Sequence, residues 1–311
     1  MNRAILANAS ISVKLIFSAF VILLVWFVFQ FLAIFTGMLL FSFNLEEALN
    51  ILNNIQDPSV INFIKYVQAI TSLGLFIFSS FLIAFFMDTD PAEFLYLRKL
   101  PGLKLMLLTL LLILVILPFS NLLTELNGQV KLQGPFENVQ KFMEIKESEV
   151  ETLMRKFLDV KGLWAFSVNI LIIVLLPAIG EELLFRGVIQ KLLISLTRNA
   201  HIGIIISAFI FSALHFQFLS FFPRFILGII FGYLVFWSNS LWPAIFAHFL
   251  NNLLAVIYYH FYYGGKIGNE IEMVGSPGYG LYLGIISMIF AGGIIYLYYK
   301  NTGKYDEHYV T

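Results

Sequence analysis

The sequence predicts an all-α fold: a polytopic membrane helical bundle of about eight transmembrane helices, with one amphipathic helix lying at the interface. Three observations predict it. Hydrophobic residues fill 59% of the 311 positions and charged residues only 12%, whereas a soluble globular domain is about a quarter charged. Mean hydropathy is +0.87. The charges also punctuate long apolar blocks, most of them near the ~20 helical residues that cross a ~30 Å hydrocarbon core.

The blocks fall at about 15–44, 66–87, 105–124, 162–190, 200–219, 222–237, 241–262 and 277–299. The first is uncharged from Leu15 to Leu45. It is too long for a perpendicular span, so it is expected to tilt or to extend past the membrane. It also far exceeds a signal h-region and has no small-residue cleavage site behind it, so it reads as a span and not as a cleavable leader. Pro177 interrupts the fourth block, where a kink or broken helix is expected. The fifth to seventh blocks are joined by short turns such as FWSNSLWP (Phe236–Pro243) and should form a tight antiparallel cluster. Gly228 and Gly232 offer that cluster a GxxxG packing surface. The one long polar insert, at about 125–160, spaces Phe142, Ile145, Leu153 and Phe157 among charges at helical intervals. This is the pattern of an amphipathic interfacial helix, with a solvated helical loop as the alternative. The expected organisation is one integral membrane unit: an N-terminal three-span region over 1–160 that includes the insert, a core over 161–265, and a last span with a polar tail over 266–311.

Nineteen basic and nineteen acidic residues give a net charge of zero. With no basic run, the sequence points to the lipid bilayer as partner and not to nucleic acid. The chain has no cysteine, which removes disulfides, thiolate nucleophiles and Cys-ligated zinc. Arg98, Lys99 and Lys104 form a compact basic loop, and Lys191 and Arg198 fall on the same side. The short-loop rule therefore places the N-terminus in the cytoplasm, although the long insert on the other side also carries Lys and Arg.

An ionisable residue inside a span is costly and by default functional. In PAIGEELLFRGVIQ, Pro177–Gln190, the uncharged run Gly162–Gly180 meets Glu181 and Glu182 and then Arg186. Glu182 and Arg186 are four apart and can pair on one helical face. Glu181 lies about 100° around the helix from Glu182, so the two carboxylates are expected to do different work, with Glu181 facing the interior. The bland alternative is a pair of interfacial carboxylates facing water. His215 closes FIFSALHF in the fifth block, and His248 opens HFLNN in the seventh, with Asn252 one turn later on the same face and Asn251 turned elsewhere. His201 and His260 sit near span ends and His308 in the tail, so they carry no expected role. Tyr258, Tyr259 and Trp242 read as belt or packing residues.

A carboxylate, two imidazoles and a carboxamide limit the chemistry. No serine–base signature stands out, Asp57, Asp88, Asp90, Asp159 and Asp306 all fall in loops or tails, and HExxH is absent. Two readings remain. Either Glu181, His215 and His248 hold a zinc ion, or a glutamate acts directly as general base on water while the histidines and asparagine hold the water and stabilise the oxyanion.

Glu181-Glu182-x-x-x-Arg186, Phe211-x-x-x-His215 and His248-x-x-x-Asn252, in that order on successive blocks, resemble the CPBP family of CaaX prenyl proteases and bacteriocin-processing enzymes, which includes the type II CaaX endopeptidases. The motifs cover about 181–252, match at every motif position, and place the family-like catalytic core in 161–265. The resemblance implies an eight-helix, metal-independent intramembrane glutamic endopeptidase with no cofactor. It gives Glu181 the role of base and His215 that of holding water. It makes His248 and Asn252 the oxyanion hole, and Arg186 with Glu182 the organisers of the site. It also implies a membrane-associated peptide or protein substrate, lipidated or not; in members acting on CaaX substrates, cleavage removes the three residues after a prenylated cysteine. Peptide maturation, bacteriocin immunity and cleavage of a signalling protein are the other expected uses. The rivals are the zinc protease built on the same residues, a non-catalytic membrane immunity or partner protein, and a proton-coupled transporter, for which matched broken helices in two halves are missing.

Overall fold

The computed structural model describes residues 4–51, 55–131, 133–160 and 162–302. The polar tail with Asp306 and His308 lies outside the described residues. The main helices are α1 (Ile11–Phe41), α2 (Pro58–Met87), α3 (Leu103–Gly128), α4 (Glu137–Leu158), α5 (Leu163–Thr197), α6 (Ala200–Ala213), α7 (Phe221–Ser238), α8 (Trp242–Tyr263) and α9 (Leu281–Asn301). All of these except α4 and α6 are long and apolar enough to cross a membrane. The protein is a multi-pass integral membrane protein.

Local chemistry sets the helix ends. Asp57 caps α2 by accepting the Ser59 N–H, with Pro58 in the first turn, and Asn199 caps α6 by accepting the Ile202 N–H at 3.1 Å. Ser42 and Asn239 close α1 and α7 in the left-handed conformation. The second span is longer than the apolar block suggests, because it takes in Lys65, the charge that ends the block at 66. Lys65 is buried and donates to the Phe157 carbonyl at 3.1 Å at the end of α4, where a cation also meets the negative end of that helix.

Two expectations are corrected. First, Pro177 does not break the fourth span: α5 is continuous from Leu163 to Thr197. A π-helical stretch, Ile170–Leu175, lies just before the proline. Pro177 has no N–H for the Ile173 carbonyl four residues back, and that oxygen instead accepts from Asn252 Nδ2 on α8, at 3.4 Å.

Second, the fifth block is not helical to its end. α6 stops at Ala213, and its 14 residues reach only ~21 Å, so His215 sits in the turn beyond the helix and not on it. The turn is closed by bonds from the N–H of His215 to the Ser212 carbonyl and from that of Phe216, in the left-handed conformation, to the Ala213 carbonyl. It is held from outside by Asn127 on the Phe218 carbonyl, by Ser212 Oγ on the Phe221 carbonyl at 2.7 Å, and by Glu147 accepting the Leu219 N–H at 3.4 Å. Such anchoring is what irregular backbone at membrane depth requires.

Within the polar insert, 125–128 belong to α3, Gly134–Phe136 forms a 3-10 turn, and α4 is the helix that the apolar spacing predicts. Of its apolar residues, Phe142 and Ile145 are exposed while Phe157 and its neighbour Leu158 are buried. The helix therefore docks by its C-terminal end, where the Phe157 carbonyl accepts from Lys65 and from Asn169 Nδ2 at 2.5 Å, and the Leu158 carbonyl accepts from His260 at 3.2 Å. Its other end leaves a cavity of about 180 Å³ beside the His215 turn, with Asn127, Met143, Glu147, Phe218 and Phe222 in its wall.

Candidate active site

α5 carries its two glutamates on the short α-helical stretch Leu176–Glu182, between the π-helical stretches Ile170–Leu175 and Leu183–Ile189. Extra π turns are frequent at functional sites because they re-aim side chains without ending a helix. The two carboxylates enter different surroundings.

Glu182 is wholly buried and Arg186 is 1% exposed. Glu182 Oε1 accepts from Arg186 Nη1 at 2.8 Å and meets His248 Nδ1 at 2.8 Å. The guanidinium is enclosed further: Nη2 donates to the Gly228 carbonyl at 3.2 Å, and the Phe211 and Phe231 rings lie 4.5 and 5.6 Å from its centre. One turn along, Gln190 Nε2 donates to the Gly232 carbonyl at 3.1 Å. Gly228 and Gly232 make both bonds available. A Cβ on Gly232 would lie 2.6 Å from Gln190 Oε1, and one on Gly228 would lie 3.1 Å from the Ala208 Cβ and 3.5 Å from Arg186 Nη2. The expected GxxxG surface is thus a seat for polar side chains of α5 as well as a contact with α6. A buried ion pair stands only when its remaining bonds are also made; among the described residues only Glu182 Oε2 in this group lacks a partner.

Glu181 is the looser member, with its side chain 13% exposed. Its Oε2 lies 3.8 Å from His215 Nε2 and 3.9 Å from His248 Nε2. Both distances exceed a direct hydrogen bond and suit a bridging water. The other nitrogens fix the tautomers. His215 Nδ1 is 2.8 Å from the Phe211 carbonyl, which can only accept, and His248 Nδ1 faces a carboxylate already engaged by Arg186. Each Nδ1 is therefore the N–H, and in a neutral ring each Nε2 presents its lone pair toward Glu181. Asn252 joins the group through α8. One amide N–H reaches the Ile173 carbonyl at 3.4 Å, and Asn251 Nδ2 reaches Asn252 Oδ1, also at 3.4 Å. A carboxamide has a second N–H to offer.

The structure thus gathers Glu181, Glu182, Arg186, His215 and His248, and anchors Asn252 to the proline gap of the same helix. The three histidines without an expected role lie elsewhere or outside the described residues; His201 meets the Tyr233 hydroxyl at 2.6 Å. Among the described residues, no three His, Asp or Glu side chains form a group able to hold a metal ion. Two polar residues escaped sequence reading. Gln190 follows Arg186 by one turn on the same face, and that spacing was the available signal. Arg224 is an isolated charge inside the sixth apolar block, a signal in its own right; its Nη2 donates to Gln217 Oε1 at 2.7 Å.

Fold and site define a multi-pass membrane protein with a polar centre on its fourth, fifth and seventh apolar segments. Residues 163–254 match the family model described as type II CAAX prenyl endopeptidase Rce1-like. Over this segment the chain is similar to that family, whose description points to a protease. It is also similar to the uncharacterized protein YpbD of Bacillus subtilis (strain 168), with 36% identity over 86 residues. That match covers 26% of this chain and 41% of the relative, so the chain spans about two fifths of that relative's length. No solved structure matches.

Proposed function

We propose that this protein is an intramembrane endopeptidase in which Glu181 is the general base that activates water against a peptide carbonyl. The observation that carries the reading is the division of labour between adjacent glutamates. Glu182 is spent on Arg186 and His248, while Glu181 faces two imidazole nitrogens at 3.8 and 3.9 Å. A water in that gap gives one proton to Glu181 and hydrogen-bonds through the other to an imidazole lone pair. Its oxygen then attacks the carbonyl carbon. Glu181 returns the proton to the leaving nitrogen as the C–N bond breaks, leaving a carboxylic acid and an amine. The second N–H of Asn252 is the donor available to the oxyanion. His248 joins it only as imidazolium, because its neutral ring already donates through Nδ1 to Glu182. The 161–265 core would be the working part, and the substrate a membrane-associated peptide or protein; the family description makes a prenylated C-terminal motif the first to try.

The test is cleavage by lipid-reconstituted protein of a farnesylated CaaX peptide, its unprenylated twin and unrelated transmembrane peptides, with products read by mass spectrometry. Glu181→Ala is expected to lose ~10²–10⁴-fold in rate, the usual scale of a general base, and a chelator is expected to change nothing. Loss of activity on chelation would move Glu181, His215 and His248 into a metal site. Full biological activity in Glu181→Ala would leave a binding protein.

A further inference from the structure

We infer that the cavity between α1 and the C-terminal half of α5 is a binding site for the phosphate of an acidic phospholipid headgroup. The inference makes no use of the hydrolytic reading, and it concerns the part of α5 beyond the two glutamates.

The cavity measures about 340 Å³, the volume of a small-ligand site. Lys14 of α1 and Asp88 at the end of α2 stand in its wall with Arg186, Gln190, Lys191 and Ser195 of α5. Arg186 and Gln190 are buried while Ser195 is exposed, so the cavity runs from the surface to the polar row of α5. Two ammonium groups stand there against one carboxylate, and the guanidinium is already paired with Glu182. Lys14 Nζ donates to the Ala7 carbonyl at 2.8 Å, and Lys191 Nζ to the Phe94 carbonyl. Among the described residues no carboxylate forms an ion pair with either lysine. An ammonium has three N–H groups, so each lysine keeps donors for a ligand. The Phe94 and Tyr96 rings, 4.3 and 4.0 Å from Lys191 Nζ, hold that ammonium in place. Asp88 is engaged locally, its Oδ1 accepting the Asp90 N–H at 2.9 Å.

The cavity beside the His215 turn makes the contrast. It holds about 180 Å³, and its wall has Glu144 and Glu147 and no basic residue, so its charge repels an anion. The larger cavity suits a phosphate, whose oxygens accept several charge-assisted bonds at once. Basic pockets between transmembrane helices are known seats of anionic headgroups. The source is lipid and not solution, because the polar wall adjoins apolar surface. Val13 and Ile16 stand beside Lys14, Leu196 follows Ser195, and all three are exposed in spans of the bundle. Acyl chains can lie along α1 and α5 there while the phosphate enters the cavity. Arg186 lines the same cavity, so the occupant adjoins the arginine that pairs with Glu182.

The experiment compares retention of dioleoyl phosphatidylglycerol and dioleoyl phosphatidylcholine by the whole protein, read by native mass spectrometry from mixed micelles. Both lipids carry a phosphate, and only the first has a net charge. Wild type is expected to hold one phosphatidylglycerol ~10–100-fold more tightly than phosphatidylcholine, the scale of charge-assisted contacts. Lys14→Gln and Lys191→Gln should each remove most of that preference. Lys104→Gln, a basic residue outside the cavity, should leave it intact. Asp88→Asn should strengthen it, a gain that misfolding does not imitate. Equal retention of the two lipids by wild type overturns the site and needs no variant. Equal losses in Lys14→Gln, Lys191→Gln and Lys104→Gln also overturn it, leaving a diffuse positive surface. The last arm adds millimolar inorganic phosphate. Displacement of phosphatidylglycerol by phosphate overturns the lipid source and makes the cavity a site for a soluble anion, whereas retention supports the headgroup.

Discussion

Glu181 and Glu182 are neighbours in sequence and opposites in surroundings. Around Glu182 the structure uses up hydrogen-bonding capacity: Arg186 and His248 take one oxygen, and the arginine is itself seated on the Gly228 carbonyl between two rings. Around Glu181 it leaves capacity open, with imidazole lone pairs at 3.8 and 3.9 Å. One half holds the helices together and orients an imidazole, and the other holds a carboxylate at longer than hydrogen-bond distance from both imidazoles. A polar cluster inside a membrane can serve both purposes only if they are kept on separate groups.

That comparison breaks most visibly at Glu181. Glu181→Gln keeps the shape and removes the base, so it should cost ~10²–10⁴-fold in turnover while the thermal midpoint stays near wild type. A large fall in the midpoint would show that Glu181 is as structural as its neighbour. The mirror image is Arg186→Met, which leaves Glu182 and His248 with an uncompensated buried carboxylate and should destabilise the bundle by ~3–5 kcal/mol, seen as early thermal aggregation in detergent. If Arg186→Met instead unfolds like wild type, the enclosed half is not the structural one.

A milder change sharpens the same contrast. Gly232→Ala forces a methyl against Gln190 Oε1 and the Ile204 side chain, at 2.6 and 2.7 Å, and overpacking of this kind costs ~1–3 kcal/mol. It should lower stability with little change in the activity that survives. Loss of turnover without loss of stability would place Gln190 closer to the chemistry than the geometry does.

The smallest effect belongs to an ion pair outside the membrane. The hydrogen bond from Arg98 Nε, at 2.5 Å, holds the Asp90 carboxyl below its ordinary value. A depressed carboxylate contributes stability that is present above its unfolded value and lost as pH falls through the folded one. Asp90→Asn should therefore only flatten the acid limb of a stability–pH curve, and a midpoint shift at neutral pH would show the pair matters more than its exposure suggests.

Much of this was legible in sequence. The eight apolar blocks are all helical for most of their length because bilayer thickness leaves few other solutions, and the spacing of Glu182 and Arg186 announced their pairing. What the sequence hid depends on distant partners. Pro177 carries the local signature of a break, but a π-helical stretch before it and a carboxamide from α8 keep α5 whole. His215 leaves its helix at a turn where Phe216 adopts the left-handed conformation without being glycine, and that turn is held by α3 and α4. Gln190 finds its acceptor only where a glycine lets α7 come close. Lys65 borders an apolar block in the sequence, yet it is buried in the span because the Phe157 carbonyl at the end of α4 receives it.

The short helix α6 has a consequence for the lipid. A ~21 Å element beside full-length spans cannot match the hydrocarbon thickness, so the bilayer thins locally or the headgroups dip toward the His215 turn. Water then has less lipid to cross at the depth where hydrolysis would occur. Acyl-chain length becomes an environmental setting of the site: thicker bilayers stretch against the α6 dimple, and thinner ones relax it.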